Sequence, residues 1–470
     1  MLANGGTGDA RTLAWQLEQI RSVLVKVLPW VRVDLDRPFV ALAVNNEPRM
    51  RALLSTYWQR GNAVRPVSVW VTGPDRHYLA IRSDEKAEDR LLINPHVNAY
   101  FSYLSLVIQT SLQAEMPLWF TRGLAGVLSN TVVRNSDLMI GPPIPWHLRE
   151  LRERPRLRLA TLMGVTRDSR EVVGEGQNQF DAQAWALVHF LLFGHDGKRA
   201  TQLDQLFSLI STGHTHQAAQ GEAFGPIEQL EADFVRYLGR DVFGFAKMPI
   251  DESVRREKFP ERSLPAAEAS VTLALFHLSM RQANDARAAI AEARKAGGAV
   301  ADSHLAEALL LRSDGKEDAV RPALERAVAE GSTTAYAHYE LARMQWQSEA
   351  SPESLAAREK LLRRAAELNP QWSWTFALLA EVRSQLGQAD ALELAVRAVQ
   401  LAPMESSHRL TAAVVLWRAG QHAQALKAVD AAMTLATNDQ DRQRARELQQ
   451  AIAQRKPQRP PPGRRSQISR

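Results

Sequence analysis

Met116-Pro117-Leu118-Trp119-Phe120-Thr121-Arg122-Gly123-Leu124-Ala125-Gly126 reads as a helix opened by a proline. Proline is tolerated at a helix start because the N–H it lacks has no partner there. Apolar residues at Trp119, Phe120, Leu124, Val127 and Leu128 fall close to helical spacing, so one face is expected to be buried. Gly123 and Ala125 permit close approach of a neighbouring backbone or side chain. Arg122 sets a permanent positive charge in this apolar frame, with no lone pair to offer a metal.

Upstream, the chain opens as α/β. Gly8 to Leu28 has Leu13, Leu17, Ile20, Leu24 and Val27 on one side of an amphipathic helix. Phe39 to Val44, Val67 to Val71 and Tyr78 to Ile81 read as strands. Pro48 to Gln59 reads as a helix and Gly73-Pro74-Asp75 as a turn. Asn94 to Leu112 is a further helix. Downstream come a hairpin over Thr131 to Ile140, helices over Trp146 to Arg154 and Leu159 to Gly164, and a polar loop over Val173 to Gln179. A strongly apolar helix follows from Phe180 to Leu192, then an amphipathic one ending at Leu238.

Two of these stretches resemble the peptidase MA-like family of gluzincin-type zinc peptidases. Trp119 is followed by Phe-Thr-Arg-Gly-Leu-Ala where the family has x-x-Glu-Gly-Leu-Ala. Phe180-Asp181-Ala182-Gln183-Ala184-Trp185-Ala186-Leu187-Val188-His189 matches the family's Phe-Tyr-Ala-Gln-Ser-Trp-Ala-Leu-Val-His, departing at Asp181 and Ala184. The resemblance spans residues 2–243. It implies an α+β zincin-like domain whose zinc is held by the two histidines of H-E-x-x-H and by the third-ligand glutamate, with the first glutamate activating water. That motif occurs nowhere in this sequence. The equivalent positions run from Phe101 to Ser105, with Phe101 and Ser105 at the histidines, Ser102 at the base and Arg122 at the third ligand. The resemblance therefore implies a degenerate site with no metal and no cofactor, in a family that uses zinc. Asp181 and Arg122 are expected to pair if their helices both face the old site. Relatives also enter the first helix from a strand that starts further upstream. A native start upstream, with an export signal, would make the protein periplasmic or exported; otherwise it is cytoplasmic.

Other ligand-bearing residues are weighed against ordinary structure. His96 stands at a helix start. His147 and Glu150, like His304 and Glu307, are i and i+3 on a helix, and His214 and His216 flank a threonine. Such pairs arise by chance among 12 histidines and 52 acidic residues. His189 is expected to be buried scaffold. Glycine spacing excludes a phosphate loop, no Gly-x-Ser-x-Gly elbow is present, and the absence of cysteine excludes a thiol nucleophile. The net charge of +6 equals the six basic residues Arg455, Lys456, Arg459, Arg464, Arg465 and Arg470. The remaining body is near neutral, so a nucleic-acid face is not expected.

Lys247 to Leu264, polar with Pro249 and Pro260, reads as a linker after the domain of residues 1–246. From residue 265 the texture becomes alanine- and leucine-rich. Gly387 and Gly420 are 33 residues apart, as are Pro370 and Pro403. Ala391 and Ala398, then Ala425 and Ala432, take the small positions where paired helices touch. This is the tetratricopeptide pattern, in about five units with a capping helix, over residues 265–455. Residues 456–470 are basic and proline-rich and are expected to be disordered. The function these features imply is a non-catalytic scaffold binding a protein or peptide through the repeats. The alternatives are a metal-dependent peptidase with a relocated site at His96 or His147, and a division of labour in which the N-terminal domain is only a platform.

Overall fold

The computed structural model describes residues 1–3, 7–28, 30–59, 66–85, 92–112, 114–134, 136–172, 176–297, 301–345, 351–436 and 438–454. The chain forms two compact units, Met1–Gly298 and Ala299–Arg470. The basic tail lies outside the described residues.

The first unit opens with β1 (Leu2–Ala3), α1 (Thr7–Val27), β2 (Phe39–Val44), α2 (Glu47–Leu53), α3 (Ser55–Gln59), β3 (Ser68–Thr72) and β4 (His77–Arg82). The sheet order is β1-β2-β4-β3, with β3 antiparallel at the edge and the other pairs parallel. The expected helix over 48–59 is two helices. Leu54, fully buried, takes a non-helical backbone at φ −121° and ψ 48° and turns the chain between them. Asn46 starts α2 by accepting a hydrogen bond from the Arg49 N–H at 3.0 Å.

Then come α4 (Val97–Ser111), α5 (Leu118–Ser129), β5 (Val132–Arg134), β6 (Asp137–Ile140), α6 (Pro145–Glu153), α7 (Leu159–Gly164) and α8 (Gly176–Phe193). After them lie α9 (Ala200–Ser211), α10 (His216–Phe224), α11 (Ile227–Leu238), β7 (Ala246–Pro249), α12 (Ala266–Ser279) and α13 (Ala283–Lys295). Residues 176–179, expected in a loop, begin α8 instead. The centre of the core is α5 against α8, where Trp119 and Trp185 are fully buried.

The segment expected as a linker is tied down. β7 pairs with β6 in a three-stranded sheet, and Ala246, Met248 and Ile250 pack on the core. That alternation of apolar and polar residues is a strand signal hidden by the surrounding charges. Beyond it, the Asp251 N–H donates to Gln19 Oε1 at 2.7 Å and Trp15 Nε1 donates to the Val254 carbonyl at 2.9 Å. The hairpin α12–α13 also belongs to this unit. Phe276 meets the Tyr78 ring edge-on at 5.7 Å, and Gln282 Nε2 donates to Thr56 Oγ1 at 2.9 Å.

Among its described residues the second unit is all helix: α14 (Ala301–Ser313), α15 (Glu317–Ala329), α16 (Ala335–Met344), α17 (Pro352–Leu368), α18 (Ser373–Gln385), α19 (Ala391–Leu401), α20 (Ser406–Arg418), α21 (His422–Leu435) and α22 (Asp439–Gln454). They form antiparallel pairs closed by α22. Gly387 and Gly420 end the first helices of their pairs at φ +68° and +78°. The next N–H reaches back to Arg383 O and Leu416 O respectively, at 2.9 Å each, the bond that closes a left-handed helix end. Arg281 occupies the same turn of α12–α13 at φ +59°, without the freedom of glycine. Ala391, Ala398, Ala425 and Ala432 are all buried where paired helices meet.

Candidate functional site

Arg122 on α5 and Asp181 on α8 face each other. Guanidinium Nε and Nη2 donate to the two carboxylate oxygens, each at 2.5 Å. The side chains are 23% and 17% exposed, so the pair is shielded without being dry. The close approach of the two helices depends on Gly123, where a Cβ would lie 2.3 Å from the Ala184 carbonyl oxygen. The Phe101 ring of α4 lies 5.3 Å from the guanidinium carbon. Of the remaining positions on α4, Ser102 donates to the Asn98 carbonyl of its own helix at 3.1 Å. The Ser105 hydroxyl is buried and has no hydrogen-bond partner among the described residues. A phenyl ring, two hydroxyls and a guanidinium do not make a zinc donor set.

Beside this pair is a cavity of about 260 Å³ bounded by Asn98, Phe101, Trp146, His147, Glu150 and Asp181. Burial pushes His147 down to about 4, so its imidazole is neutral at physiological pH. Its ring lies 5.6 Å from that of Trp185. Glu150 is held by Arg154 at 2.9 Å. The cavity thus presents one neutral imidazole and two carboxylates, each already committed to an arginine. Among the described residues no three histidine, aspartate or glutamate side chains group as metal ligands.

The other histidines are dispersed. His96, 2% exposed, lines a separate cavity of about 420 Å³ with Asn94, Tyr100 and Thr131. Burial, then the charge of Arg82, depresses it to about 4. His189 donates from Nε2 to the Gly141 carbonyl at 2.9 Å and accepts from the Tyr237 hydroxyl at 2.7 Å, which makes it buried scaffold. His304 lies between Glu307 and Glu330 at 3.3 and 3.1 Å. His214 contacts the Leu209 carbonyl and His216 the Glu115 carbonyl.

One network was invisible in the sequence. His77, 1% exposed, donates from Nε2 to Asp36 Oδ1 at 2.8 Å and accepts from Thr72 Oγ1 at 3.0 Å. Burial pushes the Asp36 carboxyl up, but the His77 bond and the Arg37 charge outweigh it and hold it below the ordinary value. Only the register Thr72↔His77 and Phe39↔His77 brings these residues together.

No family model matches the chain, and no curated protein matches it. Solved structures do. Pseudomonas aeruginosa PilF is 19% identical, covering 39% of this chain and 88% of that one, with a TM-score of 0.31. YrrB, described as a TPR protein with an unusual peptide-binding site, is 17% identical over 38% and 92% of the two chains, with a TM-score of 0.32. A thermophilic TPR protein of Thermus thermophilus is 20% identical over 39% and 98%, with a TM-score of 0.29. In this chain the tetratricopeptide character is carried by its own helix pairs, their 33-residue period, the glycine turns and the buried alanines. Among the described residues no helix is long and apolar enough to cross a membrane.

Proposed function

We propose that this protein is a non-catalytic scaffold that holds a protein or peptide segment on its helical repeats. Its N-terminal unit is, on this proposal, a peptidase MA-like fold without zinc chemistry. The observation that carries the proposal is the Arg122–Asp181 pair. A bidentate arginine–carboxylate contact is among the stronger side-chain interactions, and it fixes a positive charge where the resemblance implies a metal ligand. Metal hydrolysis needs a Lewis acid and a carboxylate to manage the proton, and the residues at positions 101, 102, 105 and 122 supply neither. For binding, the repeats offer a row of first helices, with α18 on α20 and α20 on α22. Trp374 is exposed on α18, its ring edge against His408 at 4.8 Å.

The competing function is hydrolysis at a relocated site, with the neutral His147 beside Asp181 as its base. One experiment separates the two. Zinc is measured by elemental analysis on protein purified without chelator, and cleavage of labelled casein is followed with and without chelator. The scaffold predicts less than about a tenth of an equivalent of zinc, no cleavage, and none gained in Arg122→Glu. One equivalent of zinc, or cleavage abolished by His147→Ala, overturns it.

A further inference from the structure

The near-neutral total of the body hides a local excess. Residues 149–158 hold Arg149, Arg152, Arg154, Arg156 and Arg158 against Glu150 and Glu153. Among the described residues only Arg154 of these five has a carboxylate partner, Glu150 at 2.9 Å. Arg152, Arg156 and Arg158 are exposed and form no ion pair among the described residues. All three line a cleft of about 560 Å³ between the end of α6 and α11, whose apolar side includes Leu157, Phe234 and Val235.

The arginines are mounted on a fixed backbone. Residues 155–158 run outside helix and strand, with extended backbone at Arg154 and Arg158. Gln183 of α8, 1% exposed, receives the Leu157 N–H at 2.8 Å and donates to the Leu157 carbonyl at 3.1 Å. Gln179 donates to the Pro155 carbonyl. Two glutamines from one helix thus clamp the strip, as a neighbouring strand would. Alternate residues of an extended chain stand roughly 7 Å apart, so Arg156 and Arg158 repeat at the spacing of alternate side chains on a second extended chain, while Arg152 stands on the last turn of α6 at the head of the strip.

We propose that this cleft binds an extended acidic peptide, with alternate carboxylates on Arg156 and Arg158, a further carboxylate on Arg152 at the end of α6, and the intervening apolar side chains against Leu157 and Val235. This goes beyond the scaffold proposal, because the surface lies in the first unit and not in the repeats. The concave form and apolar wall favour a peptide over a lipid surface, which would meet a ridge. Among the described residues no aromatic ring stands exposed in the cleft to stack a base, which disfavours single-stranded nucleic acid.

The test uses the full chain and a fluorescein-labelled peptide of alternating glutamate and leucine, followed by anisotropy. Binding is expected, weakening as salt is raised. It should fall on the order of tenfold or more in R152Q/R156Q/R158Q, because each charge pair contributes modestly and the three act together. It should also weaken in Val235→Asp and stay unchanged in Arg446→Gln, an exposed arginine of α22. The lysine–leucine counterpart should not bind. An unchanged melting temperature in the triple variant separates lost binding from lost folding. The proposal is overturned if the peptide does not bind, or if the triple variant binds it as well as the parent. Tighter arginine-dependent binding to phosphatidylserine vesicles or to an oligodeoxythymidylate overturns it too. Zinc content and casein cleavage do not enter this readout, so it fails separately from the scaffold proposal.

Discussion

Gly123→Ala should force α5 and α8 apart. A Cβ at position 123 would lie 2.3 Å from the Ala184 carbonyl oxygen and 2.6 Å from Val188 Cγ2, whereas ordinary contact begins at 3.4 Å. The helices would have to separate by about 1 Å, because the obstacle is backbone and has no rotamer to change. Overpacking of this kind destabilises by about 1–3 kcal/mol, toward the upper end or beyond when backbone moves. The better helix propensity of alanine returns about 1 kcal/mol, leaving a net loss of about 2 kcal/mol or more. Gly126, one turn away, is the internal control. Its Cβ would meet the Trp185 side chain at 3.4 Å, so Gly126→Ala should be neutral or stabilising by up to about 1 kcal/mol. A chain of two units need not unfold in one step, so hydrogen exchange of the α5 and α8 amides during denaturant unfolding is the appropriate assay. A Gly123→Ala protein as protected as the parent, or a Gly126→Ala protein more damaged than Gly123→Ala, would refute the close-approach argument.

Asp181→Ala should destabilise the first unit by about 2 kcal/mol, because it leaves a partly buried guanidinium without its counter-ion. Asp181→Leu combined with Arg122→Met should recover most of that in the same unfolding assay. His189→Gln should flatten the acid sensitivity of the first unit. Burial holds His189 near 4 against 6.5 for the free side chain, so the unfolded chain takes up a proton first as pH falls. The stability present above 6.5 is therefore lost towards pH 4, and the glutamine variant should lose roughly 1–3 kcal/mol less over that window by urea titration. Arg281→Gly should stabilise α12–α13 by about 1 kcal/mol, since φ +59° disfavours a side chain there. A lower melting temperature would show that the arginine side chain does more than tolerate its turn.

What was legible in the sequence is what short-range periodicity encodes. The apolar spacing around Trp119 and Trp185 marks α5 and α8. The 33-residue recurrence of Gly387 and Gly420 marks the helix pairs and the turns that join them. Pairing of Arg122 with Asp181 was open to inference only because a family resemblance placed both helices at one site. Long-range register was not legible. Nothing near position 36 announces His77, and nothing near Gln19 announces Asp251. β7 escaped because Lys247 and the prolines around it read as solvated chain, although Ala246, Met248 and Ile250 alternate with them. The arginine strip escaped for a different reason: net charge averages over the whole chain, and only burial and partners tell a neutralised arginine from a bare one.

The docking of α12–α13 on the β-sheet has a practical corollary for anyone who dissects this protein. A fragment cut at residue 265 would begin with an orphaned hairpin, its Phe276 stripped of Tyr78 and bared to water, its Gln282 and Asp285 without Thr56 and Ser55. Such a piece invites self-association through that face. A loss of partner affinity in it would not distinguish a frayed end from the absence of the first unit's arginine-lined cleft. A cut near Gly298 keeps the hairpin seated on the sheet and leaves the remaining repeats to be judged on their own.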